Sequence, residues 1–312
     1  MADIVTLTPN PAIDLSTSVE QIVAVRKLRC AAPRRDPGGG GVNVARVVKR
    51  FGGTVEAILP AGGFTGQLLR RLLDDDGIAN RIVKVEAETR EDFSVSERST
   101  AQQYRFVLPG MPLRETEWRA CLDLLASASP RPKFVVGSGS LPPGVPDDFY
   151  ARAAEIARGL GAKFLLDTSG EPLKAALEHG VCLIKPNLRE MRELTGAELC
   201  EEKEWIAAAR SFIDAGKVEI VALSLGHLGA LLVTRAQALR AYPLPIEPLS
   251  SVGAGDSFLG AFVFALAKGD SLADAFHLAS AAGAAALIHA GTELCRPEDV
   301  YRLCPQAKIE RI

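Results

Sequence analysis

Short apolar runs alternate with amphipathic stretches along this chain. Residues 4–8, 55–60, 134–138, 163–167, 181–185 and 218–224 are brief apolar segments bounded by turn residues, and read as strands. Between them, 43–51, 115–126, 147–158 and 188–194 carry apolar positions at helical spacing. From 253 to about 289 the chain is mostly helical. Strands at β–α intervals predict an α/β fold with a mostly parallel sheet covered on both faces.

Two stretches break the alternation. Residues 14–33 and roughly 81–107 hold short β-like runs, among them Phe93-Ser94-Val95-Ser96 and Tyr104-Arg105-Phe106-Val107, with no helix between them. They predict a small sheet projecting from the main domain, as a lid or a dimer surface. With no helix to cover both faces, Val23, Val25, Phe93, Val95 and Phe106 are expected on an open apolar side. Proline-rich spots at 130–132, 141–144 and 243–248 read as loops. No repeat or low-complexity linker divides the chain, so 1–312 reads as one domain.

Composition narrows the classes. A chain of 312 residues with 47% hydrophobic content can bury a large core. A net charge of −2 gives no electrostatic footprint for nucleic acid or an anionic membrane. Anionic ligands would therefore have to be held by local clusters. The start, Met1-Ala2-Asp3-Ile4-Val5, lacks the regions of a signal peptide. The apolar stretch at 276–290 contains His277, Ser280 and His289 and reads as a buried helix, not a membrane span. Cys30, Cys121, Cys182, Cys200, Cys295 and Cys304 form no C-x-x-C pair, which fits free thiols in a reducing cytoplasm. His179, His227, His277 and His289 show no metal-ligand spacing.

The strongest chemical signal is Ser251-Val252-Gly253-Ala254-Gly255-Asp256, directly ahead of an apolar helix. A helix start offers unpaired N–H groups and partial positive charge, and glycine lets that backbone approach an anion. A carboxylate beside such a turn weakens anion binding unless it must take a proton. Asp256 is then a general base for a hydroxyl attacking a phosphate, with Gly253, Ala254 and Gly255 holding the phosphate. The plainer alternative is a glycine turn with a first-turn acid favoured by the helix dipole. No G-x-x-x-x-G-K-[ST] occurs, which excludes a P-loop kinase.

Other clusters bear on the same chemistry. Gly38-Gly39-Gly40-Gly41-Val42-Asn43 precedes a helix, and so many glycines suit close approach of backbone to ligand, with Asn43 also readable as an N-cap. Lys185, Asn187 and Glu190 follow a strand; they could order a Mg²⁺ shell and nucleotide phosphates, or form a capping box. Ser224, Gly226 and Gly229 end another strand, as a phosphate turn or a hairpin. Asp14 follows the first strand and could bind sugar hydroxyls. Ser138-Gly139-Ser140 lies at the ligand-binding edge of the sheet. Lys27, Arg29, Arg90 and Arg105 fall in the small-sheet region and together could hold a substrate phosphate.

In this order the motifs resemble the PfkB carbohydrate kinase family, within the ribokinase-like fold. The resemblance rests on Gly38 to Ala45, on Asn187-x-x-Glu190 and on Gly253-Ala254-Gly255-Asp256, and spans nearly the whole chain. It implies a three-layer α/β/α domain with a small β lid. Runs at 27–30, 97–106, 138–144 and 291–295 are most similar to bacterial ribokinase-type 6-phosphofructokinases. That likeness implies ATP-dependent phosphorylation of fructose 6-phosphate, with 1-phosphofructokinase and tagatose-6-phosphate kinase as rivals, and a catalytically dead sugar-phosphate-binding regulator as the rival outside the enzymes. It implies sugar-phosphate contacts from Asp14, Gly39, Asn43, Arg90, Ser138 and Asp256, and from Lys27 of a neighbouring subunit in a homodimer. Lys185, Asn187, Glu190, Ser224, Gly226 and Gly229 would serve ATP and Mg²⁺. A K⁺ site is implied near Ser250, Val252, Ala286, His289 and Gly291. Here His289 and Glu293 depart from the Asn and Arg of those relatives.

Overall fold

The computed structural model describes residues 2–250, 252–289 and 291–312. Ser251 of the glycine-turn motif therefore lies outside the described residues. In the first half of the chain, β1 (Ile4–Leu7) is followed by β2 (Ala12–Val19), β3 (Arg34–Gly38), α1 (Gly40–Arg50), β4 (Val55–Ala61), α2 (Gly63–Asp75) and β5 (Ala79–Lys84). Next come β6 (Arg90–Glu97), β7 (Gln102–Phe106), α3 (Glu115–Ala126), β8 (Phe134–Ser138), α4 (Phe149–Leu160), β9 (Lys163–Asp167) and α5 (Glu171–Leu177). The last part holds β10 (Val181–Ile184), α6 (Leu188–Thr195), α7 (Glu202–Asp214), β11 (Val218–Ser224), β12 (Ala230–Thr234), β13 (Ala238–Ala241), α8 (Ala254–Lys268), α9 (Leu272–Leu287), α10 (Pro297–Leu303) and β14 (Ile309–Arg311).

Ten strands form the main sheet in the order β14-β13-β12-β11-β10-β9-β8-β1-β4-β5. From β11 through β5 neighbours pair in parallel, and β12, β13 and β14 extend the β11 edge antiparallel. Alternate side chains serve opposite faces. Val5 and Leu7 enter a core with α3, α4, α5, α6 and α7. Ile4, Ala57 and Leu59 enter another with α1, α2, α8 and α9. The three-layer α/β/α arrangement follows, and it puts the C-terminal ends of β1, β8, β9, β10 and β11 on one edge.

A second sheet of four strands, in the order β3-β2-β6-β7, stands apart from the first. Its composition differs from the pattern reading. Residues 34–38, Arg-Arg-Asp-Pro-Gly, have little strand propensity but pair with β2 through tertiary context. Residues 20–33 hold no strand and are largely exposed. Strand β5 belongs to the main sheet, where its half-exposed edge position blurs its alternation. Of the expected apolar face, Val23 and Val25 lie on the 20–33 loop, half-buried and wholly exposed, while on the small sheet Phe106 is 55% exposed and Phe93 and Val95 are half-buried. Helices α2, α5, α7 and α10 are additions to the pattern reading.

Candidate active site

Helix α8 begins at Ala254, with Gly253 as its N-cap in the left-handed region (φ 77°) and no side-chain cap. Asp256 is thus at the third helical position. Its Oδ2 accepts a hydrogen bond from Asn43 Nδ2 at 2.9 Å. Burial pushes the Asp256 carboxyl up to about 6, Asp167 adds to the rise, and Asn43, Lys185 and Arg105 oppose it. Lys185 Nζ lies 3.2 Å from Asp167 Oδ2, and a Cβ on Gly255 would meet that ammonium at 3.0 Å. Burial works to lower the Lys185 pKa, but Asp167, Asp256 and Glu190 carry it above its usual value.

The four glycines divide among three jobs. Gly38 ends β3, and a Cβ there would fall 2.5 Å from the Asp14 carboxyl carbon. Gly39 (φ 104°) is the turn and the uncapped N-cap of α1. Gly40 and Gly41 form the first helical turn, where a Cβ on Gly40 would sit 2.1 Å from Ser138 Oγ. Asn43 is therefore inside the helix and not its cap, which frees its amide for Asp256. Gly139 (φ 110°) follows Ser138, and its carbonyl accepts hydrogen bonds from Tyr150 Oη at 2.8 Å and Thr168 Oγ1 at 2.9 Å. Ser140 Oγ accepts from Asn10 Nδ2 at 3.0 Å.

The small sheet lays a row of carboxylates beside these glycines. Register places Asp14 opposite Asp36 on one side and Asp92 on the other. Arg34 and Arg46 pair with Asp36, each at 2.8 Å, and Arg90 Nη1 pairs with Asp92 at 3.1 Å. Asp14 has no ion pair among the described residues. Burial pushes it up to about 6, against the pull of Arg105, with Asp92 and Asp256 adding to the rise and Arg46 opposing it. Arg90 also donates to the Leu108 carbonyl at 2.9 Å. Several buried polar atoms here lack a protein partner: Thr8 Oγ1, Asn10 Oδ1, Asn43 Oδ1 and Arg90 Nε. Buried polar groups are ordinarily paired, so this cluster has bonding capacity left for a polar ligand.

Along the same edge, Asn187 and Glu190 form the capping box. Asn187 Oδ1 accepts from Glu190 N–H and Glu190 Oε2 from Asn187 N–H, both at 2.9 Å. Burial raises the Glu190 pKa against the Asn187 N–H. Ser224 bridges Asn187, and Gly226 (φ 61°) and Gly229 (φ 94°) close the β11–β12 hairpin. A Cβ on Gly229 would fall 2.2 Å from the Ala241 carbonyl. No group of three or more metal-ligating side chains occurs among the described residues. Mg²⁺ needs only one or two carboxylates besides phosphates and water. Glu190, with one oxygen outside the capping box, and Asp167 fit that requirement.

Further along, Ser250 Oγ donates to the Gly291 carbonyl at 2.8 Å, and Val252 N–H donates to Ser250 Oγ at 3.1 Å. The Ala286 carbonyl accepts from His289 N–H at 3.3 Å. The His289 ring turns to Asp299, Nε2 to Oδ2 at 2.9 Å, and Glu293 pairs with Arg34 and Arg296. Lys27 and Arg29 lie exposed on the 20–33 loop, and among the described residues no hydrogen bond or ion pair ties them to this cluster. Pattern reasoning passed over Asp167, Asn10, Asp36 and Asp92. Asp167 had a usable signal, a carboxylate at the C-terminal end of a parallel strand.

Comparison with known proteins converges with this geometry. The model for "pfkB family carbohydrate kinase" matches residues 6–299. The chain is 49% identical to ATP-dependent 6-phosphofructokinase isozyme 2 of Mycobacterium tuberculosis, over 96% of this chain and 88% of that protein. It is 34% identical to the 1-phosphofructokinase of Xanthomonas campestris, over 97% of this chain and 94% of that one. The crystal structure of phosphofructokinase-2 from Escherichia coli in complex with fructose-6-phosphate superimposes with a TM-score of 0.92 at 38% identity, covering 98% of this chain and 99% of that one. The same enzyme is described in complex with potassium, at a TM-score of 0.93, and in a tetrameric inhibited form. An uncapped, glycine-started helix bearing a buried carboxylate, set against a polyglycine turn on a ribokinase-like sheet, and a family match across almost the whole length lead to one conclusion: the chain belongs to the pfkB family of carbohydrate kinases.

Proposed function

We propose that this protein is an ATP-dependent 6-phosphofructokinase, converting fructose 6-phosphate to fructose 1,6-bisphosphate in the cytoplasm. The single observation that carries the chemistry is Asp256, buried at the start of an uncapped helix and held by Asn43. Its pKa of about 6 leaves it ionised near neutrality and basic enough to accept a proton. As Asp256 takes the C1 hydroxyl proton, the sugar oxygen bonds to the γ-phosphorus and the bond to the β-phosphate oxygen breaks, releasing ADP. The N–H groups of Gly253, Ala254 and Gly255, with Lys185, stabilise the charge on the transferring group. Mg²⁺, brought with the nucleotide and held through Glu190 and Asp167, would neutralise phosphate charge.

Asp14, Gly38 to Gly41, Asn43, Arg90, Arg105 and Ser138 to Ser140 bind the phosphosugar, while Lys185, Asn187, Glu190, Ser224, Gly226 and Gly229 serve the nucleotide. Backbone oxygens near Ser250, Val252, Ala286 and Gly291 suit K⁺; the His289 ring, engaged with Asp299, adds no ligand. The exposed apolar side of the small sheet supports a homodimer in which the loop carrying Lys27 reaches the second copy's site. Among the described residues no helix is long and apolar enough to cross a membrane.

Initial rates with MgATP on fructose 6-phosphate, fructose 1-phosphate and tagatose 6-phosphate test the assignment. The highest kcat/KM is expected for fructose 6-phosphate. A preference for fructose 1-phosphate would make the chain a 1-phosphofructokinase, and no turnover on any of them would make it a binding protein.

A further inference from the structure

The segment Gly291-Thr292-Glu293 lies along the polar side of the small sheet and meets it at both edges. At the β7 edge, Gln103 Nε2 donates to the Gly291 carbonyl at 3.3 Å, and Gln103 Oε1 accepts from Ser250 Oγ at 3.0 Å. The Ser250 hydroxyl also reaches the Gly291 carbonyl, so the three groups share one small network. At β2, a Cβ on Gly291 would come within 3.1 Å of Ser16 Oγ, so the contact is close. At the β3 edge, Arg34 Nη1 pairs with Glu293 Oε2 at 3.1 Å, and Thr292 Oγ1 stands 3.5 Å from Asp36 Oδ2.

Gln103 and Arg105 are two residues apart on β7 and so share a face. That face looks toward the site, since the Arg105 charge bears on both Asp14 and Asp256. Strand β7 is an edge strand of a small sheet, with Gln102, Tyr104, Arg105 and Phe106 all exposed. Strand β6 is fixed by its parallel pairing with β2, but beyond its own pairing with β6 little packing resists a swing of β7 away from the main sheet. The Gln103 side chain does resist it, because it bonds to the loops at 250 and 291.

We propose that Gln103, clamped between Ser250 and Gly291, is a positioning residue that holds Arg105 over the phosphosugar, while the Arg34–Glu293 pair seats the opposite edge of the same sheet. The proposal rests on reading Asp14 and Arg105 as part of the sugar site. It gives Gln103 an effect on sugar affinity without contact with the sugar. The Arg34–Glu293 pair has the weaker share, because Arg34 is half-exposed and such pairs contribute little in water.

Kinetics of Gln103→Leu, Arg105→Ala and the double variant test it. Gln103→Leu keeps the side chain's size and removes both hydrogen bonds, so KM for fructose 6-phosphate should rise about tenfold. KM for ATP and the melting temperature should stay at wild type. Arg105→Ala should raise the same KM, and adding Gln103→Leu to it should cause no further rise, because the glutamine acts through the arginine. Glu293→Gln should raise the sugar KM less than about threefold. An unchanged sugar KM in Gln103→Leu, an equal rise in both KM values, or a full tenfold step on top of Arg105→Ala would each overturn the proposal. An unchanged sugar KM in Arg105→Ala alone would instead remove Arg105 from the sugar site, and with it the role argued for Gln103.

Discussion

Helices α6 and α8 point their N-termini at the same edge of the sheet, yet they are finished in opposite ways. Helix α6 satisfies itself, with Asn187 and Glu190 exchanging hydrogen bonds across its first turn. Helix α8 starts at a left-handed glycine and has no side-chain cap. Helix α2 shows what such a start does when an anion is available. It also begins after a glycine without its own cap, and Glu88 Oε1 accepts from its Thr65 N–H at 2.6 Å. A helix that withholds its own cap keeps N–H groups and dipole for something else. In the proposed mechanism α8 offers them to the transferring phosphate, and α6 serves the nucleotide through a carboxylate instead.

The sharpest way to break this contrast is at the base. Asp256→Asn should lower kcat by about 10²–10⁴-fold with both KM values little changed. A variant keeping more than a tenth of wild-type kcat would leave α8 as an ordinary helix with a first-turn acid. Next in size is Lys185→Met, which strips the ammonium beside Gly255 and leaves Asp167 unpaired. Loss of charge-assisted contacts of about 1.5–3 kcal/mol should cut kcat/KM for ATP by roughly 10- to 150-fold. If that ratio held while only stability fell, the lysine would be a structural ion-pair partner and nothing more.

Acid should separate the two helices more gently. Asp256 and Asp14 are both raised to about 6 and the proposed mechanism uses each ionised, so kcat/KM for the phosphosugar should fall as pH drops through that value. With both needed ionised the acid limb should approach a two-proton slope, and because the carboxylates repel each other its apparent values belong to the pair. Stability runs the other way. A carboxyl whose folded pKa lies above its unfolded one favours the fold in acid and loses that contribution as pH rises through about 6. A pH profile flat between 7 and 5 would contradict the buried base. The smallest effect is expected at α6, where Asn187→Ala should cost about 0.5–2 kcal/mol of stability by chemical denaturation. Its kcat should fall far less than that of Asp256→Asn, and a comparable fall would erase the distinction between the two helices.

Much of this arrangement was legible in the chain. Strands β8, β9 and β11 and helix α3 fall where the pattern puts them, because the strands are short apolar runs buried on both faces and the helix buries one face. The glycine turn with Asp256 and the tetraglycine with Asn43 carry their chemistry locally. What escaped depends on distant partners. Strand β3 exists because β2 pairs with it, and β5 sits at a half-exposed edge. Asp36 and Asp92 flank Asp14 only after three strands align, and Gln103 finds Ser250, 147 positions further along the chain, only once the chain between them has folded. The apolar side of the small sheet is likewise more sheltered at Phe93 and Val95 than spacing alone implies.

The hydrogen bond from Asn43 to Asp256 joins positions 213 residues apart. During synthesis the polyglycine turn, β1 and α1 emerge early, but the base is made only after about four-fifths of the chain, and a ribosome still covers it for some time. A nascent fragment short of that point lacks the proposed base. Long-range contacts of this kind are slow to form, because the loop must be closed before the contact rewards it. Strand β14, later still, covers the otherwise free edge of β13. A product truncated ahead of Asp256 would therefore carry the polyglycine turn without the proposed base, and is expected to be inert in phosphoryl transfer.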